Sequence, residues 1–237
     1  MWPHPQQPLR LALIGMSGSG KSYWTQRIAA AGYRAVCCDT QIEQRLAGKL
    51  QSGGYAGING VARWMGWPDS PTYAEREAAY LAEEIATLDA VLTGLEKNPA
   101  QNLVLDTTGS VIYVGDHLLD RLRKQMVVVY LAASHDEQEL LIRRYLEDPK
   151  PVLWRGAFQA RKEEASRDTV ARCYPALIAA RRQSYAALAH CSIPVAELRE
   201  LSVHEEKGED FAGKAFLEKV QTQFERTSGS ARAEHSL

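Results

Sequence analysis

Short apolar runs alternate with longer amphipathic stretches along most of the chain. The first run, residues 9–15, is apolar and closed by a glycine, a pattern that predicts a buried strand. Similar runs predict further strands at 33–38, 102–106, 126–132 and 192–195. The intervening stretches are typical of helices, at 22–31, 40–47, 73–95, 115–124, 137–146, 169–190 and 214–224. This alternation predicts an α/β fold with a five-stranded parallel sheet and helices on both faces.

Four segments fit neither period. Residues 1–8 carry three prolines and two glutamines and are expected to form an irregular leader. Residues 51–71 are rich in Gly, Ser, Asn and Trp, which predicts a loop near the site. Residues 147–167, here named the lid segment, mix prolines, a tryptophan and many charges, which indicates an exposed, mobile lid. Residues 227–237 are small and polar, so we expect a flexible tail after a domain spanning 9–226.

Composition narrows the classes of partner. The chain has 237 residues, of which 45% are hydrophobic, enough for a sizeable core. Its 28 basic and 29 acidic residues give a net charge of −1, which argues against nucleic acid or an anionic membrane as partner. The four cysteines lack metal-ligand spacing and disulfide density, and no long apolar stretch is present. We therefore expect a cytoplasmic protein that is a monomer or small homo-oligomer.

The first strand-to-helix junction carries a phosphate-binding motif. Residues 15–22, here named the P-loop, read Gly-Met-Ser-Gly-Ser-Gly-Lys-Ser and satisfy G-x-x-x-x-G-K-[ST] between a predicted strand and helix. Its glycines let backbone N–H groups face a phosphate chain, and the helix N-terminus adds positive potential. Lys21 is expected to reach the β and γ phosphates, and the Ser22 hydroxyl to ligate Mg²⁺. The other residues predicted to hold ATP are Gly15, Met16, Ser17, Gly18, Ser19, Gly20 and Tyr23.

Carboxylates follow the second and third predicted strands, at the edge where the P-loop lies. Asp39 is suited to orient or deprotonate a hydroxyl acceptor, or to cap the helix that begins at the next residue. Asp106 is suited to hold Mg²⁺, or to cap a turn. Thr107, Thr108 and Gly109 would then offer hydroxyl and N–H groups to the acceptor.

Several cations lie in or after the lid segment. Lys150 and Arg155 are candidates to close over the triphosphate and stabilise charge during transfer, or are ordinary solvated charges. Arg181 is a candidate to bind an anionic group of the acceptor, or belongs to a basic pair on a surface helix. Three aromatic residues either line an acceptor pocket or anchor a long loop: Tyr55, Trp64 and Trp67.

Between residues 9 and 195 the order of elements and motifs resembles the shikimate kinase family. Residues 37–43 resemble the family's Asp-x-Asp segment, with Asp39 at the second Asp, which contacts the acceptor hydroxyl, and Cys37 at the first. Residues 106–110 resemble its Thr-Gly-Gly-Gly turn and keep only the middle glycine. Residues 150–153, Lys-Pro-Val-Leu, resemble its Arg-Pro-Leu-Leu lid motif. Arg181 matches the arginine of its Arg-x-x-x-Tyr motif, which contacts the shikimate carboxylate.

The resemblance implies a P-loop kinase that uses ATP and Mg²⁺ to phosphorylate a hydroxyl of a small, anionic metabolite. The family's early Phe-Arg-x-x-Glu motif falls near residues 73–77, where Ala74 takes the arginine position and Arg63 or Arg76 is a candidate replacement. The acceptor is therefore expected to differ from shikimate. Two alternatives stay open: a nucleotide or nucleoside kinase, and a non-catalytic regulatory ATP-binding protein.

Overall fold

The computed structural model describes residues 2–3, 7–202 and 208–234. Five strands form one sheet with the order β2-β3-β1-β4-β5, and every neighbouring pair is parallel. The strands are β1 Arg10–Ile14, β2 Arg34–Cys37, β3 Leu103–Asp106, β4 Val127–Ala132 and β5 Cys191–Pro194. The predicted five-stranded parallel sheet is confirmed.

Helices cover both faces of the sheet. Those of the described residues are α1 Lys21–Ala30, α2 Cys38–Gln51, α3 Gly57–Met65, α4 Tyr73–Lys97, α5 Asp116–Gln125, α6 His135–Glu147, α7 Ser166–Leu188, α8 Val195–Ser202 and α9 Glu209–Glu234. In the described parts of the chain, no helix combines the length and the apolar character needed to cross a bilayer.

Alternate residues of the three central strands, β3, β1 and β4, point into two separate apolar layers. On β1, Leu11 and Leu13 belong to the layer that contains Trp24 of α1 and Phe216 of α9. Ala12 and Ile14 belong to the layer built with α2, α4 and α7. Because both faces of β1, β3 and β4 are buried, these three strands read as continuous apolar runs, which is why the sequence pattern located them.

The loop prediction for 51–71 is wrong at its centre, where α3 forms. Val61, Trp64 and Met65 are buried on one face of this helix, at the i, i+3, i+4 spacing that a helix requires. Three glycines among the residues of α3 and its C-cap obscure this spacing in the sequence. Gly66 ends the helix with φ of 75°, a conformation that favours glycine.

The lid segment is not exposed along its whole length. Residues 148–165 form no helix or strand, yet Val152, Leu153 and Trp154 are only 0–4% exposed. The ring of Trp154 packs edge-on against Tyr145 and Tyr174, with centroids 6.3 and 5.7 Å away. The prediction of an exposed lid is therefore wrong at its centre, because the apolar residues between the prolines and charges join the core.

The last helix is longer than predicted. It covers 209–234 rather than 214–224, and Phe216 stacks on Trp24 of α1 with ring centroids 4.9 Å apart. It continues through most of the predicted tail, of which 235–237 lie outside the described residues. Of the predicted leader, residues 1 and 4–6 also lie outside them, and Trp2 packs edge-on against Phe224 at 5.5 Å.

Candidate active site

The P-loop joins β1 to α1 through three glycines in left-handed or extended positive-φ conformations. Gly15, Gly18 and Gly20 have φ of 143°, 82° and 94°. A Cβ at Gly15 would lie 2.9 Å from the carbonyl oxygen of Leu131, so the loop cannot hold a larger residue there without moving the backbone. The amide of Ser19 donates to Met16 O at 3.2 Å and closes the turn before α1 begins. The sequence motif thus forms a closed loop at a helix N-terminus, as a phosphate site requires.

Lys21 lies inside this loop. Its side chain is 7% exposed, and its Nζ donates to Gly15 O and Met16 O, both at 3.0 Å. Burial lowers the pKa of Lys21, while the nearby carboxylates of Asp106 and Asp39 act in the opposite direction. A cation and two carboxylates therefore meet at the carboxyl ends of the strands, where ligands of such sheets bind.

The residues around Lys21 fit a nucleotide and a divalent cation. The buried Ser19 hydroxyl oxygen has no hydrogen-bond partner among the described residues. Ser22 is exposed on the first turn of α1, and Asp106 is buried at the end of β3. A hydroxyl and a carboxylate are the hard oxygen donors that Mg²⁺ takes beside phosphate oxygens and water.

Asp39 lies beside the end of β3, because Cys37 at the end of β2 pairs with Asp106. It is the second residue of α2, and Cys37 holds the N-cap position, so the alternative of Asp39 as the N-cap is wrong. Burial raises the pKa of the Asp39 carboxyl to about 6, opposed by Lys21. The Tyr80 hydroxyl donates to its Oδ1 at 3.2 Å. A half-buried carboxylate that titrates near neutrality is suited to act as a general base.

The turn after β3, residues 107–110, uses its hydroxyls inside the protein. Thr107 Oγ1 donates to Leu13 O at 2.8 Å and joins β3 to β1. Thr108 Oγ1 and Ser110 Oγ both donate to the carboxylate of Glu84, the latter at 2.6 Å. The hydroxyls that the sequence suggested for the acceptor are thus engaged with internal partners.

Glu84 is a buried carboxylate beside the turn after β3 that the sequence pattern did not single out. It lies on α4, is 2% exposed, and burial raises its pKa to about 7 against the two hydroxyl hydrogen bonds. Tyr80 and Glu84 repeat the aromatic-to-acid spacing of the family's Phe-Arg-x-x-Glu motif, seven residues beyond the segment compared with it. The Tyr80–Glu84 spacing is therefore the feature of the sequence that could have identified Glu84.

Arg181 is buried, which excludes the alternative of a surface charge. The residue is 1% exposed on α7, and its guanidinium donates to Gly109 O and to Leu153 O, both at 2.6 Å. Its Nε has no partner among the described residues. The Tyr185 hydroxyl, at the end of the same Arg-x-x-x-Tyr motif, also donates to Gly109 O. Arg181 therefore joins the turn after β3 to the centre of the lid segment.

The two candidate cations of the lid segment have different surroundings. Lys150 Nζ donates to Asp148 Oδ2 at 2.6 Å and to Asn59 Oδ1 at 2.5 Å, and its charge lowers the pKa of Asp39. Arg155 is exposed, with its guanidinium 5.7 Å from the centre of the Tyr113 ring. Lys150 is thus held toward α3, whereas the Arg155 guanidinium lies over Tyr113, in the segment that follows the turn after β3.

Three cavities border these residues. The largest, here named the α3 cavity, has a volume of about 580 Å³ and lies between α3 and residues 145–152. A second, of about 220 Å³, lies between Ser17 and Gly18 of the P-loop and residues 141–150. A third, of about 190 Å³, lies between the P-loop and α8 and is lined by Tyr23, Arg144 and Arg199 among others.

No family model and no curated protein matches the chain. Solved structures do. The shikimate kinase of Acinetobacter baumannii in complex with shikimate aligns with a TM-score of 0.54 and 22% identity, covering 79% of this chain and 84% of that one. The shikimate kinase of Aquifex aeolicus aligns with a TM-score of 0.51 and 17% identity, covering 90% of this chain and 97% of that one. The chain has the shikimate kinase fold.

Within the shikimate kinase fold, the predicted residues do not all lie together. Those of the P-loop lie with Asp39 and Asp106 at the carboxyl edge of the sheet. The side chains of Thr107, Thr108 and Arg181 are buried in internal contacts, and Arg63 lies apart from them on α3. At these levels of identity the matches establish the fold, and the acceptor must be argued from the residues.

Proposed function

We propose that the protein transfers the γ-phosphoryl group of ATP to a hydroxyl group of a small, anionic metabolite. The observation that carries the proposal is the position of Lys21 within the P-loop, close enough to Asp39 and Asp106 for both to act on its pKa. In this proposal the P-loop and Lys21 bind the phosphates of the donor ATP, and Asp39 acts on the acceptor hydroxyl. The kinase character of the solved structures that share the fold agrees with this proposal.

In the proposed reaction the acceptor oxygen attacks the γ-phosphorus. A bond forms between them, the bond from the γ-phosphorus to the β–γ bridging oxygen breaks, and ADP leaves with that electron pair. Asp39 accepts the proton of the hydroxyl, assisted by a carboxyl pKa of about 6. Lys21 and the P-loop amides bind the β and γ phosphates. Mg²⁺, held by Ser22 and Asp106, would neutralise charge on those phosphates.

The positions of the cavities suggest where the nucleoside and the phosphates of ATP would bind. We assign the nucleoside of ATP to the 190 Å³ recess between the P-loop and α8, which Tyr23 lines. We assign Lys150 to the phosphate end of the site, because it lines the 220 Å³ cavity together with Ser17 and Gly18. Arg155 would reach the triphosphate only after a rearrangement of the lid segment, since its guanidinium lies near Tyr113.

The test is ADP release from Mg-ATP with a panel of hydroxy acids, sugar phosphates, nucleosides and nucleotides. The proposal expects release above the rate of water hydrolysis with at least one hydroxy acid or sugar phosphate, and stoichiometric product. Release with nucleosides or nucleotides alone would identify a nucleoside or nucleotide kinase instead. A panel without any transfer, together with a rise in melting temperature on adding ATP, would identify a non-catalytic ATP-binding protein.

A further inference from the structure

The α3 cavity has the size and lining of a small-molecule site. Its volume of about 580 Å³ falls within the range of about 300–1,000 Å³ that is typical of ligand pockets. Trp67 and Tyr145 supply aromatic walls, with ring centroids 6.4 Å apart. Arg63, Lys150 and Asp148 supply charges. An apolar cavity with a few convergent charges is suited to a polar metabolite with an organic skeleton.

The wall between the α3 cavity and the P-loop consists of the Lys150–Asp148 ion pair and Tyr145. All three residues line the α3 cavity and also the 220 Å³ cavity that reaches Ser17 and Gly18. The pair is short, with Lys150 Nζ 2.6 Å from Asp148 Oδ2. A molecule in the α3 cavity is thus separated from the P-loop cavity by one ion pair and Tyr145, and within the pair Lys150 already compensates the Asp148 charge.

One of the three arginines considered for the acceptor has a free guanidinium. Arg181 is committed to two backbone carbonyls, as described above. Arg76 donates to Trp64 O, and its guanidinium packs over the Trp64 ring at 5.7 Å. Arg63 is exposed, lines the α3 cavity, and makes no ion pair or hydrogen bond within the described parts of the chain.

We infer that the α3 cavity binds the anionic group of the acceptor through Arg63, beside the flat wall of Trp67. The ligand class is a small hydroxyl-bearing molecule with one carboxylate or phosphate ester. Guanidinium groups bind either anion through two parallel hydrogen bonds, so Arg63 alone does not choose between them. That this ligand is the phosphoryl acceptor rests on the proposed function, whereas the binding site itself does not.

The test measures binding without ATP, by calorimetry on the full chain. Gluconate and quinate represent hydroxy carboxylates, glucose 6-phosphate and ribose 5-phosphate represent phosphate esters, and inositol is the neutral probe. We expect at least one anionic probe to bind and inositol not to bind. Arg63→Ala should weaken that binding at least tenfold, and Arg63→Lys should restore part of it. The matched control is Arg226→Ala. Arg226 is an exposed arginine on α9, and this helix packs in the apolar layer that contains Trp24, on the opposite face of the sheet from α3.

The outcomes separate this inference from the proposed function. Probe binding that is equal in wild type and Arg63→Ala, or no binding of any anionic probe, overturns the inference. An anion that binds through Arg63 without any ADP release leaves the inference standing and removes phosphoryl transfer. ADP release with an acceptor whose KM is unchanged in Arg63→Ala leaves the transfer standing and removes the inference. Melting temperatures of the variants report whether each is folded.

Discussion

The Tyr80 hydroxyl donates a hydrogen bond to Asp39 Oδ1 at 3.2 Å and thereby links α4 to the carboxyl edge of the sheet. The hydrogen bond stabilises the ionised carboxylate and so lowers the Asp39 pKa. Burial disfavours the ionised carboxylate and has the larger effect, which raises the pKa to about 6. If Asp39 is the base, it works only when ionised. The rate of phosphoryl transfer should then fall as the pH drops through about 6.

Asp39→Asn keeps the size of the side chain and removes the base. We expect it to lower kcat by a factor of about 10²–10⁴, the usual contribution of a positioned base, while Mg-ATP still binds. Steady-state ADP release measures the first effect and calorimetry the second. An Asp39→Asn variant with wild-type turnover would assign the base elsewhere.

Tyr80→Phe is the sharper variant, because it leaves the carboxylate in place. It removes a hydrogen bond to the ionised form, so the Asp39 pKa should rise and the acid limb of the rate profile should move to higher pH. A merely structural role for Tyr80 would lower the rate equally at all pH values. The pH dependence of kcat between 5 and 9 distinguishes the two.

Glu84 predicts a pH dependence of stability. Its pKa is about 7 in the folded protein against 4.5 in the unfolded chain, so the folded state binds the extra proton between those values. The stability from this group is therefore fully present below about pH 4.5 and is lost as the pH rises through about 7. Between pH 5 and 8 the loss should be roughly 2–3 kcal/mol. Urea unfolding of wild type and Glu84→Gln measures it, since the variant lacks this dependence; parallel curves would contradict it.

Arg181 should hold the lid segment down. Lysine in its place reaches at most one of the carbonyls of Gly109 and Leu153, so Arg181→Lys should cost roughly 2–3 kcal/mol in the free energy of unfolding. It should also speed tryptic cleavage within the lid segment. Arg182→Lys, at the exposed neighbouring position, is the control and should change neither quantity. Equal cleavage rates in the two variants would show that Arg181 does not restrain the segment.

Gly213 tests the contact between α9 and α1. A Cβ at this position would overlap the backbone carbonyl of Arg27, so Gly213→Ala must separate the helices and should cost at least about 1–3 kcal/mol. Gly94 also lies in a helix, but its Cβ would meet nothing within 4 Å. Gly94→Ala should therefore stabilise by about 0.5–1 kcal/mol. Chemical denaturation compares them, and similar effects of the two substitutions would contradict the packing.

The strands and the P-loop were predictable because one local rule determines each. β1, β3 and β4 are buried on both faces and so appear as uninterrupted apolar runs, and the P-loop glycines are required by their positive φ. The resemblance to the shikimate kinase family rested on the order of these elements together with the motifs at 37–43, 106–110, 150–153 and 181–185. Helix α3 was missed because its glycines weaken the apolar period that its buried face needs.

The contacts of the residues suggested for the acceptor were less predictable, because they are made with residues far away in the sequence. Nothing near Thr108 in the sequence indicates that its hydroxyl would donate to Glu84, 24 residues earlier on another element. Arg181 has the same local pattern whether it contacts a ligand or the carbonyls of Gly109 and Leu153. The roles of these residues, and those of Lys150 and Arg155, stay predictions.

Calorimetric titration with Mg-ATP tests the central claim most directly. The P-loop account predicts saturable binding with a stoichiometry of one per chain, weakened at least tenfold in Lys21→Ala because a buried cation that would contact the phosphates is lost. Near-native melting of the apo variant shows that it is folded. No heat with the wild type, or equal affinity in Lys21→Ala, would contradict the account.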